Sequence, residues 1–152
     1  MNKEIIEDVL LLYVEDDIEC RTICERYLKR RVRNVIVAIN GQEGYDMYLE
    51  HKPDMIITDI KMPIMSGLEM SSMIRDLNSE IPIIITSAHS ETQFFQEAIN
   101  IGINTFLLKP LDLTQLYCTI KITAENILLK RKTKEDKEIL ELATFKLLKT
   151  DY

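Results

Sequence analysis

The chain has 152 residues, of which 46% are hydrophobic, and it carries a formal net charge of -6. A chain of this size can bury a hydrophobic core without disulfide bonds or a structural metal. The negative charge disfavours nonspecific binding of nucleic acid, and no early apolar run is long enough to cross a membrane. The three cysteines lie apart from any histidine cluster, so we expect reduced thiols and a cytoplasmic protein.

Five short apolar runs, rich in branched side chains, predict β-strands that are covered on both faces. In chain order they are residues 9–14, 34–38, 54–58, 81–86 and 105–108. Each run is followed by a segment that opens with a residue pair typical of a helix start. The pairs are Asp16 with Glu19, Asn40 with Glu43, Ser66 with Glu69, Ser90 with Gln93, and Asp112 with Gln115. Strand and helix therefore alternate, which predicts an α/β fold with helices on both faces of a parallel sheet.

Charged side chains stand at the ends of three predicted strands. Glu15 and Asp16 follow the first strand, Asp59 follows the third, and Lys109 follows the fifth. In the strand order 3-2-1-4-5 the first and third strands lie about 10 Å apart, whereas in the order 2-1-3-4-5 they are neighbours. Only the second order brings the three carboxylates within reach of one cation.

Three carboxylates so close together repel one another, by about 4 kcal/mol per pair at about 4 Å and an effective dielectric constant near 20. A divalent cation would remove this repulsion. Because the ligands are all oxygens, Mg²⁺ is the expected ion. Taken one at a time, each of these residues could instead cap a helix or a loop.

Four segments resemble, in order and spacing, the signature segments of the response-regulator receiver domain of two-component signalling. They are VLLLYVEDD, IITDIKMPIMSGLE, PIIITSAHS and FLLKPLDL. Each segment alone is common, but four in register are specific, and the resemblance covers roughly residues 5–128. It implies a flavodoxin-like, doubly wound sheet of five parallel strands in the order 2-1-3-4-5. We expect a receiver domain at residues 1–129, and a C-terminal helical extension or a linker to an output module at residues 130–152.

The resemblance assigns roles to the acidic residues. Asp59 is the phosphoacceptor, and Glu15 and Asp16 form the acidic pair that binds Mg²⁺ with it. Asp16 is expected to be a direct metal ligand, and the backbone carbonyl of Lys61 to supply a further oxygen. Lys61 and His89 occupy positions that influence the lifetime of the aspartyl phosphate in this family, in a direction that the sequence leaves open.

Further roles follow at the fourth and fifth strands. Ser87 supplies a hydroxyl and Lys109 an ammonium to the phosphoryl oxygens. The peptide bond from Lys109 to Pro110 is implied to be cis. Phe106 occupies the aromatic switch position, although it lacks the hydroxyl found in many family members. In isolation, Ser87 could be an ordinary strand-end hydroxyl and Phe106 an ordinary core ring.

These roles imply a signalling domain that catalyses only its own phosphorylation and dephosphorylation. The phosphoryl donor would be a sensor histidine kinase or a phosphotransfer protein. Phosphorylation would change the surface formed by the fourth helix, fifth strand and fifth helix, which would signal to an output protein or effector domain. That surface or the C-terminal helix could also form a homodimer. Direct binding to nucleic acid or to a membrane is not expected.

Three other functions remain to be weighed. A phosphohydrolase of the haloacid dehalogenase kind also uses an aspartate nucleophile and Mg²⁺, but it needs a second aspartate where this chain has Lys61. A nucleotide or flavin binder would carry a glycine-rich first loop, whereas this loop carries carboxylates. A receiver-like scaffold that is never phosphorylated is disfavoured because every chemical position is filled.

The C-terminal segment predicts one long helix. A core-facing stripe is formed by Leu113, Leu116, Ile120, Thr123 and Ile127. Residues 130–138 contain no apolar side chain, and a helical pattern resumes at residues 139–148. No glycine or proline interrupts residues 111–152, so we predict a helix that continues past the domain as a stalk. A tail that folds back on the domain is the alternative.

Overall fold

The computed structural model of the chain describes residues 4–103 and 105–150, apart from the side chains of His89 and Glu91. The strands are β1 (Ile6–Val14), β2 (Val32–Ala38), β3 (Met55–Asp59), β4 (Ile83–Ser87) and β5 (Thr105–Leu108). The α-helices are α1 (Ile18–Arg31), α2 (Gly41–His51), α3 (Gly67–Leu77), α4 (Phe95–Ile101) and α5 (Leu113–Thr150), and a 3₁₀ helix spans His89–Phe94. The predicted receiver segment begins at residue 1 and the predicted extension ends at residue 152. Residues 1–3 and 151–152 of these segments lie outside the described residues.

The strands form one parallel sheet in the order β2-β1-β3-β4-β5. The predicted order 2-1-3-4-5 is confirmed, and with it the flavodoxin-like α/β fold. Because β1 and β3 are neighbours, Val14 lies opposite Thr58. The residues that follow these two positions therefore leave the sheet side by side.

Apolar side chains cover both faces of the sheet, because successive residues of a strand point to opposite faces. Leu12 and Ile56 belong to the core that packs against α2, α3 and α4. Leu11 and Ile57 belong to the core that packs against α1 and α5. Burial on both faces explains why the predicted strands are continuous apolar runs rather than alternating patterns.

The start of α1 differs from the prediction. The cap is Asp17 rather than Asp16, and its carboxylate accepts the backbone N–H of Cys20 at 2.8 Å. Asp16 lies one residue nearer to the sheet and is thus outside the helix. Three other predicted caps are confirmed by hydrogen bonds to the side chains of Asn40, Ser66 and Asp112.

The start of α4 was also predicted wrongly. Ser90 lies within the 3₁₀ helix, which follows Ala88 without a side-chain cap, and α4 begins only at Phe95. The tighter winding of the 3₁₀ turns therefore displaces the start of α4 beyond the pair of Ser90 and Gln93.

Helix α5 has 38 residues, which corresponds to about 57 Å at about 1.5 Å per residue. Leu116 and Ile120 are buried against the sheet, and Leu113 and Ile127 pack at the edge of the same core, so the predicted stripe is confirmed at these positions. All of residues 129–150 are exposed, which shows that this part of α5 does not fold back on the sheet. None of the helices in the described part of the chain has the length and hydrophobicity needed to cross a membrane.

Candidate functional site

The carboxyl ends of β1 and β3 bring three acidic side chains together. Glu15 directly follows β1, Asp16 comes next in the loop to α1, and Asp59 is the last residue of β3. One carboxylate oxygen from each residue lies within 4.8 Å of the other two. The convergence expected from the strand order is therefore present.

Lys109 places a positive charge in this acidic cluster. It directly follows β5, and its Nζ donates hydrogen bonds to Glu15 Oε1 at 2.5 Å and to Asp59 Oδ2 at 3.1 Å. Glu15 is 1% exposed and Asp59 is 8% exposed, so solvent and salt screen these ion pairs less than they screen surface pairs. Lys109 thus joins the ends of three strands.

Burial changes the pKa values of Glu15 and Lys109. Burial raises the pKa of Glu15, the hydrogen bond from Lys109 opposes this rise, and the negative charge of Asp59 adds to it. For Lys109, burial acts to lower the pKa, but the hydrogen bond to Glu15 and the charges of both carboxylates raise it overall. Lys109 therefore stays protonated at neutral pH and can act as a fixed cation.

Backbone contacts hold Asp59 in one orientation. Asp59 Oδ1 accepts the N–H of Ile60 at 2.8 Å, and the Asp59 carbonyl accepts the hydroxyl of Thr58 at 2.9 Å. The backbone of Gly67 lies so close that an added Cβ would be 1.8 Å from that carbonyl oxygen. Only glycine fits at this position, so the start of α3 packs directly beneath the candidate nucleophile.

Ser87 is the last residue of β4 and is fully buried. Its backbone carbonyl accepts the N–H of Lys109 at 2.8 Å. Among the described residues, its hydroxyl oxygen has no hydrogen-bond partner. The neighbouring hydroxyl of Thr86, by contrast, is 3.4 Å from the carbonyl of Thr58. The hydroxyl of Ser87 thus remains available to another acceptor.

Phe106 links β5 to α4. The ring is half-buried at the edge of the core, with its centroid 4.7 Å from that of Phe95. The peptide bond between Lys109 and Pro110 is cis, as the resemblance implied.

Lys61, two residues after Asp59, is exposed. The Nζ of Lys61 lies 5.4 Å from the ring centroid of Phe94, a distance typical of a cation–π contact. The metal-binding role of the Lys61 carbonyl stays a prediction. The side chain of His89 lies outside the described residues.

A large open cavity of about 1060 Å³ lies at the opposite end of the sheet. Its lining includes Asp54, Arg75, Glu80 and Arg131, and it contains none of the candidate site residues. Size alone therefore does not identify the functional site, which is instead marked by its converging charged groups.

Sequence comparisons agree with this geometry. The family model for the response regulator receiver domain matches residues 11–121. The transcriptional regulatory protein ZraR of Escherichia coli (strain K12) is 31% identical over 115 residues, which cover 76% of this chain and 26% of that protein. PrrA of Mycobacterium tuberculosis is 29% identical over 111 residues, which cover 73% of this chain and 48% of that protein. The chain thus spans less than half the length of either relative.

Solved structures show the same similarity. The N-terminal domain of an uncharacterized protein from Wolinella succinogenes is 35% identical with a TM-score of 0.76, over 80% of this chain and 98% of that one. The receiver domain of AraT, a response regulator from Geobacillus stearothermophilus, is 25% identical with a TM-score of 0.74, over 81% of this chain and 98% of that one. This chain belongs to the response-regulator receiver family of two-component signalling.

Proposed function

We propose that Asp59 accepts a phosphoryl group, in a Mg²⁺-dependent reaction, from the phosphohistidine of a sensor histidine kinase or a phosphotransfer protein. The observation that carries this proposal is the cluster of Glu15, Asp16 and Asp59, whose oxygens lie within 4.8 Å of one another, together with the contacts from Lys109. Receiver domains are signalling domains rather than metabolic enzymes, so the proposed chemistry is limited to phosphorylation and dephosphorylation of the chain itself.

The acidic cluster fits Mg²⁺ because it offers several hard oxygen ligands and no sulfur or nitrogen ligand. Glu15, Asp16, Asp59 and the carbonyl of Lys61 would hold the ion. Glu15 is buried and paired with Lys109, whereas Asp16 is more exposed, which supports Asp16 as a direct ligand. When bound, Mg²⁺ would neutralise negative charge on the phosphoryl group.

In this proposal Asp59 is the nucleophile. A carboxylate oxygen of Asp59 forms a bond to phosphorus while the bond from phosphorus to the histidine nitrogen breaks, and the nitrogen keeps the electron pair. Lys109 then donates to one phosphoryl oxygen and the hydroxyl of Ser87 to another. The orphaned hydroxyl of Ser87 supports this role, because a buried donor without a partner is unfavourable.

The new charge would select a second conformation of the domain. When Ser87 turns toward the phosphoryl group, space opens next to β5 and Phe106 can rotate inward. The rings of Phe106 and Phe95 have their centroids 4.7 Å apart, and their contact would transmit this rotation to α4. We propose that the α4–β5–α5 surface then signals to an output protein or to an effector domain.

We further propose that residues 1–129 form the receiver and that residues 130–152 connect it to its output. Two surfaces are candidates for a homodimer, the α4–β5–α5 surface and the exposed part of α5. The latter carries large hydrophobic side chains that are more than half exposed, namely Leu129, Ile139, Leu140, Leu142, Phe145, Leu147 and Leu148. A phosphohydrolase function is not favoured, because Lys61 occupies the position of the required second aspartate.

Labelling with acetyl phosphate tests the proposal. We expect the purified chain to become phosphorylated in Mg²⁺ and to stay unlabelled when the ion is chelated. Asp59→Asn should abolish labelling, and Asp136→Asn, which changes an exposed carboxylate on α5, should label like the wild type. Labelling that persists in Asp59→Asn would reject Asp59 as the phosphoacceptor.

A further inference from the structure

We infer that Arg21 is a positioning residue for the acidic pair, an inference that rests on the proposed binding of Mg²⁺. Arg21 lies in the first turn of α1, and its side chain reaches back over the loop between β1 and α1. Its Nη1 donates hydrogen bonds to the backbone carbonyls of Glu15 at 2.9 Å and Asp16 at 3.1 Å. A single guanidinium thus binds both residues of the pair through their backbones.

The loop that Arg21 contacts is short and carries two of the three acidic side chains. It is anchored at its start by the N–H of Glu15, which donates to the carbonyl of Ala38 at 3.1 Å. It is anchored at its end by the carboxylate of Asp17, which accepts the N–H of Cys20 at 2.8 Å. Between these two anchors Arg21 contacts the carbonyls of Glu15 and Asp16, beside a longer hydrogen bond of 3.4 Å from the N–H of Asp17 to Glu15 Oε2.

Holding the carbonyls of Glu15 and Asp16 restricts the backbone that carries their side chains, and so limits where the carboxylates can point. A carboxylate that ligates Mg²⁺ must point at a small ion that demands near-ideal octahedral geometry. Rotation of the peptide units at Glu15 and Asp16 would disturb the present arrangement, in which one oxygen of each residue lies within 4.8 Å of an oxygen of Asp59. Contacts that orient metal ligands from outside the coordination shell typically change metal affinity about 10- to 100-fold.

The charge of Arg21 and its hydrogen bonds to the loop predict opposite effects of its removal on Mg²⁺ binding. A cation next to a cation site repels Mg²⁺, so if Arg21 acted only through its charge, its removal would strengthen Mg²⁺ binding. If Arg21 acts by holding the loop, its removal weakens Mg²⁺ binding. The sign of the change therefore distinguishes the two roles.

The experiment compares Mg²⁺ binding to the wild type and to Arg21→Gln by isothermal titration calorimetry. We expect the dissociation constant to rise about tenfold in Arg21→Gln. Arg26→Gln, which removes an exposed arginine from the same helix, should bind Mg²⁺ within about twofold of the wild type. Arg21→Lys keeps the charge but loses the planar guanidinium, and should lie between the wild type and Arg21→Gln. An unchanged or lower dissociation constant in Arg21→Gln would overturn the inference.

A second measurement, made without Mg²⁺, separates this inference from the proposed function. Hydrogen exchange at the amides of Asp16 and Asp17 should be faster in Arg21→Gln than in the wild type, while exchange in β3 stays the same. Equal exchange in the two proteins would also overturn the inference. If the wild type itself fails to bind Mg²⁺, the proposed function is wrong, and the exchange rates still decide whether Arg21 orders the loop.

Discussion

At the scale of single residues, Ser87 shows most clearly how the site differs from an ordinary strand end. Its hydroxyl is buried and has no hydrogen-bond partner among the described residues. Ser87→Ala should therefore change the free energy of unfolding by less than about 1 kcal/mol, because no hydrogen bond is lost. The same substitution should slow labelling by acetyl phosphate about tenfold or more, because the proposed donor to the phosphoryl group is removed.

Thr86→Val provides the matched control, since it also removes a hydroxyl from the end of β4. That hydroxyl contacts the carbonyl of Thr58, so urea denaturation should show a loss of stability of up to about 1 kcal/mol with a labelling rate close to that of the wild type. A Ser87→Ala protein that is labelled as fast as the wild type would argue against a role for this hydroxyl.

The raised pKa of Glu15 predicts that the free energy of unfolding depends on pH. Burial raises its pKa in the folded protein above the ordinary value of 4.5, so between these two values the folded state binds more protons than the unfolded state. The free energy of unfolding contributed by Glu15 therefore falls as pH rises through this window. Removing the titrating group in Glu15→Gln removes this contribution.

Urea denaturation in a metal chelator, measured from about pH 4 to pH 8, tests this sign. The stability of the wild type should fall relative to that of Glu15→Gln as pH increases. Glu138→Gln, which changes an exposed carboxylate on α5, should follow the wild-type curve. Parallel curves for the wild type and Glu15→Gln would contradict the prediction.

At the scale of elements, the presence and order of the five strands were predicted correctly, whereas four of the strands differ from their predicted bounds by one to three residues. Burial on both faces produces continuous apolar runs, and the bounds of β5 match the predicted residues 105–108. β4 begins later than predicted, at Ile83, because Pro82 has no N–H to donate to the sheet. The cap at Ser90 was wrong because capping residues predict a helix start without predicting which type of helix follows.

The contacts of Lys109 and Arg21 were less predictable still. The resemblance to the receiver family predicted that Lys109 would lie near a phosphoryl group on Asp59, but its bond to Glu15 joins residues 94 positions apart. Arg21 folds back onto its own loop, and helical periodicity reports only which face a residue lies on. The sequence predicts which element carries each of these residues, but it does not predict the direction in which a long side chain extends.

Arg131 connects α5 to the end of the sheet where the strands begin. The guanidinium of Arg131 pairs with Asp54 and also contacts the carbonyl of Asp8 at 3.5 Å. Asp54 accepts the N–H of Leu10 at 2.6 Å as well. This network connects α5 to the beginnings of β1 and β3, just where the exposed part of the helix starts.

Arg131→Gln should therefore loosen the exposed part of α5 while lowering the free energy of unfolding by less than about 1 kcal/mol, because the ion pair is partly exposed. Spin labels at Glu50 in α2 and Thr144 in α5, in a chain with Cys118 replaced by Ser, report the distance between these two helices. Electron-spin resonance should show a broader distribution of this distance in Arg131→Gln than in the wild type. Lys132→Gln is the control and should leave the distribution unchanged. An equally narrow distribution in Arg131→Gln would show that this contact does not set the direction of the helix.

At the scale of the whole molecule, α5 connects the two ends of the sheet. It begins shortly after Lys109, at the acidic site, and passes Asp54 at the opposite end. The site and the exposed part of α5 are thus connected by one helix: the sheet order places the carboxylates, and α5 leads away from them. The family follows from the sequence match and the fold from the strand order, whereas the proposed phosphorylation depends on whether the acidic cluster binds a cation.

The most direct test of the account is the effect of Mg²⁺ on the free energy of unfolding. A ligand that binds only the folded state stabilises it, so Mg²⁺ at ten times its dissociation constant should raise the free energy of unfolding by about 1.4 kcal/mol. Asp16→Asn should require a higher concentration of Mg²⁺ for the same increase. Denaturation curves of the wild type that stay unchanged across millimolar Mg²⁺ would contradict the claim that Glu15, Asp16 and Asp59 form a cation site.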